Sequence, residues 1–245
     1  MDDVDPRWFE SFFESGDWLL VSTLRDSERT NLEVEFIASQ LPEGARVLDV
    51  PCGTGRHAVA LAERGFAVAG LDISNAVLAR AREASPDLDL RHGDMRALPW
   101  PDDSFDAVLN LWTSFGYFET QAEDEGVLAE FARVLAHGGV LILDTINQTA
   151  FVRGFRRQAF DELDGVLYLQ EHDYDLVTGR SRARWTFVRD EKRSELSFDH
   201  RLYTTPEYVV MLRRAGLRPE AFYGGFDGVE LGWDSWRQII VARRE

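Results

Sequence analysis

The 245-residue sequence has a single cysteine, Cys52. A lone thiol excludes an intramolecular disulfide framework and any zinc site built from clustered cysteines. Lysine is as scarce: Lys192 stands alone and is poorly placed for Schiff-base chemistry. No apolar run approaches the length of a membrane-crossing helix. The acidic start Met1-Asp2-Asp3-Val4-Asp5 reads as neither a signal nor a transit peptide. Positive charge is in deficit, with Lys and Arg numbering 27 against 43 Asp and Glu, a net charge of −16. That balance argues against a sequence-independent grip on nucleic-acid phosphates and against anionic membranes. Internal repeats and low-complexity tracts are missing too. What is present suits a core-forming chain: 44% hydrophobic and 29% charged residues. A reducing, cytoplasmic setting is the expectation.

Residues 1–42 read as an N-terminal helical segment, rich in aromatics at Trp8, Phe9, Phe12, Phe13 and Trp18, with a second helical run from about Asn31 to Leu41. After the breaker Leu41-Pro42-Glu43-Gly44 the chain alternates between strand and helix. Strand runs fall at Ala45–Val50, Phe66–Leu71, Leu88–Arg91, Phe105–Leu109 and Val140–Leu143. Helical runs fall at Arg56–Arg64, from Ser74 to about Ala84, and at Glu123–Leu135, the last closed by His137-Gly138-Gly139. Such alternation predicts an α/β fold, a doubly wound, mostly parallel sheet with helices on both faces. In residues 151–203 the period changes to two: Ala183, Trp185 and Phe187 alternate with polar neighbours, as do Leu196, Phe198, His200 and Leu202. Turn signals at Thr178-Gly179 and Asp190-Glu191-Lys192 then predict an inserted antiparallel sheet of three or four strands. Residues 43–150 and 204–245 would form the main domain, its last strands near Glu220–Tyr223 and Arg237–Ala242. Basic and acidic side chains balance in 151–205, so the negative charge lies outside the insertion.

The chemistry sits in Val47-Leu48-Asp49-Val50-Pro51-Cys52-Gly53-Thr54-Gly55-Arg56-His57-Ala58, a strand, a glycine turn and a helix start. Glycines let a backbone approach a ligand, and the helix start offers N–H donors. Asp72, at the end of the next strand, can bind ribose hydroxyls. Gly53-x-Gly55-x-x-Ala58 also satisfies the dinucleotide fingerprint, so a nicotinamide-dependent oxidoreductase remains open. Asp49 weighs the other way: a carboxylate before the turn repels a pyrophosphate and suits a cation. Asp94 follows the third strand, where it could read an adenine edge while Met95 packs on the ring. Three acids at successive strand ends suit a cationic ligand carrying adenosine.

Leu48-Asp49-Val50-Pro51-Cys52-Gly53-Thr54-Gly55, Gly70-Leu71-Asp72-Ile73-Ser74, Gly93-Asp94-Met95 and Phe105-Asp106-Ala107-Val108 together resemble the successive motifs of class I S-adenosylmethionine-dependent methyltransferases. The resemblance implies a seven-stranded Rossmann-like sheet with an antiparallel final strand. It also implies S-adenosyl-L-methionine as cofactor and S-adenosyl-L-homocysteine as product. It assigns cofactor contacts to Asp49, Cys52, Gly53, Gly55, Asp72, Ile73, Asp94, Met95 and Leu111. Asp49, Gly53 and Gly55 would line the methionine end, Asp72 the ribose, Asp94 and Met95 the adenine. Pro51 stands where the family commonly has glycine. The stretch Leu109-Asn110-Leu111-Trp112-Thr113-Ser114-Phe115-Gly116-Tyr117-Phe118, with the inserted sheet, is similar to aminosugar N-methyltransferases and other small-molecule methyltransferases. The Asn-Pro-Pro-Tyr run of base-amino methyltransferases is absent, which lowers a nucleic-acid substrate further.

Methyl transfer from a sulfonium leaves a neutral sulfur, so positioning should dominate, worth about 7–11 kcal/mol; a general base adds roughly 10²–10⁴-fold. The candidates are Tyr117 and His200 as catalytic groups, and Trp112, Tyr117, Arg201 and Tyr203 as walls for a small-molecule acceptor, expected to be an amine. Plainer readings stand beside these. The aromatics could be core, and His200, sharing a face with Leu196, Phe198 and Leu202, could be a packed histidine. His57 reads as a buttress of the turn and Cys52 as packing. Arg29 could meet the methionine carboxylate. Asp144 and Asn147 hint at a metal, but two oxygen ligands without a third assign none. The residues at 8–13 could be a lid. A noncatalytic nucleotide-binding module, or a homodimer formed through the insertion, is the remaining alternative.

Overall fold

The computed structural model describes residues 4–15, 27–163, 166–189 and 192–245; Trp18 and the turn residues Asp190 and Glu191 lie outside them. Two helices come first, α1 (Trp8–Glu14) and α2 (Ser27–Ser39). Then follow β1 (Arg46–Asp49), α3 (Arg56–Ala62), β2 (Ala67–Asp72), α4 (Asn75–Ala84), β3 (Asp89–His92), β4 (Phe105–Asn110), α5 (Gln121–Val134) and β5 (Leu135–Ile146). A short helix α6 (Gln148–Arg153) leads into β6 (Gln158–Leu163), β7 (Val166–Asp175), β8 (Arg180–Arg189) and β9 (Lys192–Arg201). The chain closes with α7 (Thr205–Arg214), β10 (Leu217–Tyr223) and β11 (Arg237–Arg244).

The main sheet has seven strands in the order β10-β11-β5-β4-β1-β2-β3. The five central and edge strands β3, β2, β1, β4 and β5 run parallel, while β11 is antiparallel to both β5 and β10. Its central strands are buried along Val47-Leu48-Asp49 and Ala107-Val108-Leu109, as the apolar runs there require of a sheet covered on both faces. The order reverses between β1 and β4, and the crevice outside these strand ends is where α/β sheets bind ligands. The four remaining strands form a second sheet, ordered β6-β7-β8-β9 and antiparallel throughout. Helix ends follow the expected chemistry. Ser74 accepts from the Val77 amide, and Thr120 with Glu123 and Thr204 with Glu207 form capping boxes.

One element differs from the sequence reading. His137-Gly138-Gly139 does not terminate a helix, because α5 has already passed into β5 at Leu135. The pair sits in an irregular stretch of β5, where the register jumps from Phe105 opposite Leu135 to Ala107 opposite Val140.

Candidate functional site

A cavity of about 340 Å³ opens at the strand ends, between the main sheet, α1 and the second sheet. Its first half is built by the turns after β1, β2 and β3. Pro51, joined to Val50 by a cis peptide, lines it with Cys52, Gly53 and Thr54. The Gly53 amide donates to Asp72 Oδ2 at 2.8 Å and the Ser74 amide to Oδ1 at 2.9 Å, so two backbone groups fix the Asp72 carboxylate at the cavity wall. Burial raises the Asp72 pKa to about 6 against those hydrogen bonds. Asp94 also lines the cavity. Burial would raise its carboxyl too, but Arg96, bonding through backbone and guanidinium, holds it below the usual range. Met95, Ile73 and Leu111 add apolar surface beside these acids. An adenosine with its ribose fits such a donor and acceptor set.

Two expected contacts fall elsewhere. Asp49 is 1% exposed and lies behind the turn, off the cavity wall, because its side chain points into the space under α3 and accepts the Ala58 amide. Burial raises its pKa to about 7, with Arg56 opposing and Asp72 adding to the rise, and its Oδ2 has no partner. Gly55 does not line the cavity either. It caps α3 at φ 79°, and a Cβ there would stand 3.0 Å from the Ala81 Cβ of α4, so the glycine lets two helices close up.

At the far end of this half lies a group that the sequence reading missed. Arg56 lines the cavity, and its Nη1 donates to Glu33 at 2.6 Å and to Thr30 at 2.8 Å, while Nη2 is buried without a partner. Glu33, 1% exposed, also binds His57 at 2.8 Å, Arg29 at 3.1 Å and the Trp112 indole at 3.3 Å. Burial would raise the Glu33 pKa, but the His57 and Arg56 contacts outweigh it and bring it down to about 2. The Trp112 ring lies 4.2 Å from the Arg29 guanidinium and 4.7 Å from that of Arg56. Its amide donates to Asp144 Oδ2 at 2.9 Å. Asp144 in turn holds Arg237, which bonds Thr113 and reaches the cavity. Arg29 therefore backs Trp112 and does not line the cavity; Arg56 and Arg237 do. Asp144 is a guanidinium partner, Asn147 caps α6, and among the described residues no cluster could hold a metal ion. The one available signal was position: Arg56 follows Gly55 directly, at the mouth of the turn.

The second half of the cavity is aromatic. Trp8, Phe9, Phe12 and Phe13 of α1 face Tyr117 and Phe118 from the loop after β4, Trp185 from β8, and Phe198 and His200 from β9. Tyr117 stacks on Phe9 and Phe13 and meets Trp8 edge-on at 4.8 Å. A Cβ on Gly116 would fall 2.2 Å from the Arg201 carbonyl oxygen, and the Gly116 oxygen accepts the Arg201 amide at 2.7 Å. This glycine therefore docks the Tyr117 loop on β9. Three polar nitrogens on the wall, Trp8 Nε1, Trp185 Nε1 and His200 Nε2, are buried without a partner. Each orphan costs about 1–3 kcal/mol unless something satisfies it. Burial presses the His200 pKa down to about 4, aided by Arg180 and His172.

Arg201 and Tyr203, expected as acceptor walls, are not on the cavity. Successive β-strand side chains alternate, so Arg201 points opposite to His200. It reaches the Tyr203 hydroxyl at 3.2 Å, which donates to buried Asp124 at 2.7 Å. Tyr203 packs against Phe115 and Tyr208, joining the second sheet to the first.

Residues 47–139 match the family model described as a methyltransferase domain. The chain is 36% identical over 201 residues to a dTDP-3-amino-3,4,6-trideoxy-alpha-D-glucopyranose N,N-dimethyltransferase of Streptomyces venezuelae, covering 79% of this chain and 84% of that one. It is 39% identical to a glycine/sarcosine N-methyltransferase of Aphanothece halophytica, covering 100% of this chain and 92% of the relative. Among solved structures it resembles an amino pentose methyltransferase of Micromonospora echinaspora with S-adenosylmethionine bound, at a TM-score of 0.68 and 28% identity over 94% of this chain and 96% of that one.

Proposed function

We propose that this chain, which belongs to the S-adenosylmethionine-dependent methyltransferases, methylates an amine on a small molecule whose reacting part is uncharged, an amino sugar before an amino acid. Family membership displaces the nicotinamide-dependent alternative. When bound, S-adenosylmethionine supplies a methyl group carried on a sulfonium. Asp72 would hold its ribose, Met95, Ile73 and Leu111 its adenine, and Arg56 the carboxylate of its methionine end. The aromatic half would exclude water and set the acceptor in line, which is where most of the rate enhancement of such a transfer arises.

The observation that carries the acceptor class is the absence of a counter-charge. Among the described residues lining the cavity, the guanidinium groups are those of Arg56 and Arg237, each engaged by a buried carboxylate, Glu33 or Asp144. An acceptor carboxylate in the aromatic half would be buried with no cation among the described residues to pair with, which is unfavourable. A sugar ring instead offers apolar faces to the aromatic rings and hydroxyls to the orphaned indole N–H groups.

The test is S-adenosylhomocysteine formation with an amino hexose, its dTDP-linked form, glycine and sarcosine. Turnover of an amino sugar with none of glycine or sarcosine is expected. Turnover of glycine alone overturns the acceptor class, and donor binding without turnover of any amine returns the noncatalytic alternative.

A further inference from the structure

We propose that His200, as a neutral imidazole, accepts the hydrogen bond that turns the acceptor amine toward the transferred methyl group. This rests on the amine reading above. His200 sits on β9 opposite Tyr117, ring centroids 6.5 Å apart, and is 6% exposed. It lines the cavity, and its Nε2 has no hydrogen-bond partner among the described residues. An amine whose lone pair points at an electrophilic carbon directs its N–H bonds elsewhere, and these need an acceptor. Beside it the indoles of Trp8 and Trp185 only donate and Phe9, Phe12, Phe13 and Phe198 offer ring faces; of the wall hydroxyls, Thr113 accepts from Arg237, Ser114 is bonded to the Leu111 carbonyl, and Tyr117 faces His200 from the opposite side. The cavity carboxylates, Asp72 and Asp94, are engaged by backbone amides and Arg96 at the donor end. The imidazole lone pair fills this gap, and buried polar nitrogens in native proteins are rarely left unmatched.

The groups around His200 decide its protonation. Arg180 on β8 and His172 on β7 bear on it, and Asp199, next to it on β9, is tied to Arg180 at 2.8 Å. Tyr117 faces it from the loop after β4, and α1 brings the uncharged Trp8 and Phe12 to this wall. Buried, with the Arg180 guanidinium bearing on it, the imidazole is a weak base that leaves an ammonium its proton, so the acceptor enters as the free amine. Its lone pair forms the N–C bond as the carbon–sulfur bond breaks with its electron pair left on sulfur. The nitrogen becomes a methylated ammonium that keeps its protons until one is shed to water after release.

His200→Phe and His200→Gln test this with the amino hexose as acceptor and S-adenosylhomocysteine calorimetry as control. His200→Phe should lower kcat/KM roughly 100-fold or more without changing S-adenosylhomocysteine affinity. His200→Gln, which keeps an acceptor atom, should restore turnover to within about tenfold. With S-adenosylmethionine saturating, kcat/KM for the amine in the unaltered protein should climb with pH up to the acceptor's own pKa, with no inflection from His200 near neutrality. A His200→Phe variant within about threefold of the parent overturns the proposal. So does a pH limb that disappears in His200→Gln, since that marks a general base. If the unaltered protein binds S-adenosylhomocysteine yet methylates no amine, the amine reading fails and His200 loses this role with it. If the amino hexose is turned over and only the His200 prediction fails, the amine reading stands.

Discussion

Two buried aspartates set how the site responds to pH. Asp72 and Asp49 have pKa values raised by burial to about 6 and about 7. The folded chain thus retains protons that an unfolded chain releases near the ordinary carboxylate value. This contributes stability at acid pH that is lost as pH rises through about 6 to 7. A sulfonium favours the ionised carboxylates, so donor binding must expel protons below that window. S-adenosylmethionine affinity should therefore rise from pH 5.5 to 8, approaching tenfold per unit where one proton is released. S-adenosylhomocysteine, whose sulfur is neutral, should show a shallower slope. Asp72→Asn should weaken binding and flatten both slopes; calorimetry finding a pH-independent affinity for S-adenosylmethionine contradicts this. Glu33 lies on the opposite side of the balance. Its low pKa of about 2 adds stability above the ordinary glutamate range that is lost as pH falls toward 2.

At the scale of elements, the decisive joint is the loop after β4 against β9. Gly116 has φ 92° and no room for a side chain beside the Arg201 carbonyl. Gly116→Ala should cost about 1–3 kcal/mol and shift Tyr117 away from Phe9 and Phe13. The expected outcome is a larger loss in acceptor kcat/KM than in S-adenosylhomocysteine affinity, because the donor half is built on other turns. Equal losses in both, or none, would count against a joint of this kind. The same joint explains a misplacement in the sequence reading. Period two on β9 was legible, and it put Phe198 and His200 on one face. Arg201 and Tyr203 sit just after, and polarity made them attractive as ligand contacts. What took them away was Asp124, 79 positions before Tyr203, whose buried carboxylate collects the Tyr203 hydroxyl.

Across the whole molecule, the two halves of the cavity are held together by α1. The Ser74 hydroxyl donates to the Phe13 carbonyl at 3.2 Å and the Ala76 amide to Glu14 at 3.3 Å, so the helix is pinned to the start of α4, next to Asp72. Its aromatic face meets β9 on the other side, with Phe12 and Phe198 centroids 5.6 Å apart. A seven-residue helix with few hydrogen bonds to the body belongs at the low-stability end of a fold. It should open readily in the free protein and close over the donor. Hydrogen exchange should show α1 amides slowed about tenfold or more by S-adenosylhomocysteine, with β4 and β5 unchanged. Equal exchange in α1 with and without it would show a fixed wall instead of a lid.

Local spacing carried the half of the cavity built at the strand ends. Asp49, Gly53, Asp72, Asp94 and Met95 lie at the ends of consecutive strands, so strand–turn–helix order alone brings them near one another, whatever packs around them. It also carried the two-sheet architecture, since period and turn signals are properties of short windows. Local spacing could not tell which of those residues face the ligand. Asp49 went behind the turn and Gly55 into a helix contact, because each orientation depends on what α3 and α4 press against. The guanidinium cluster on Glu33 and Trp112, and the cavity wall shared by α1, Tyr117 and β9, join segments far apart in the chain. Only burial chose those partners: once water is excluded, every charge and every orphaned nitrogen must find a match, and the match comes from whichever distant segment the fold brings alongside.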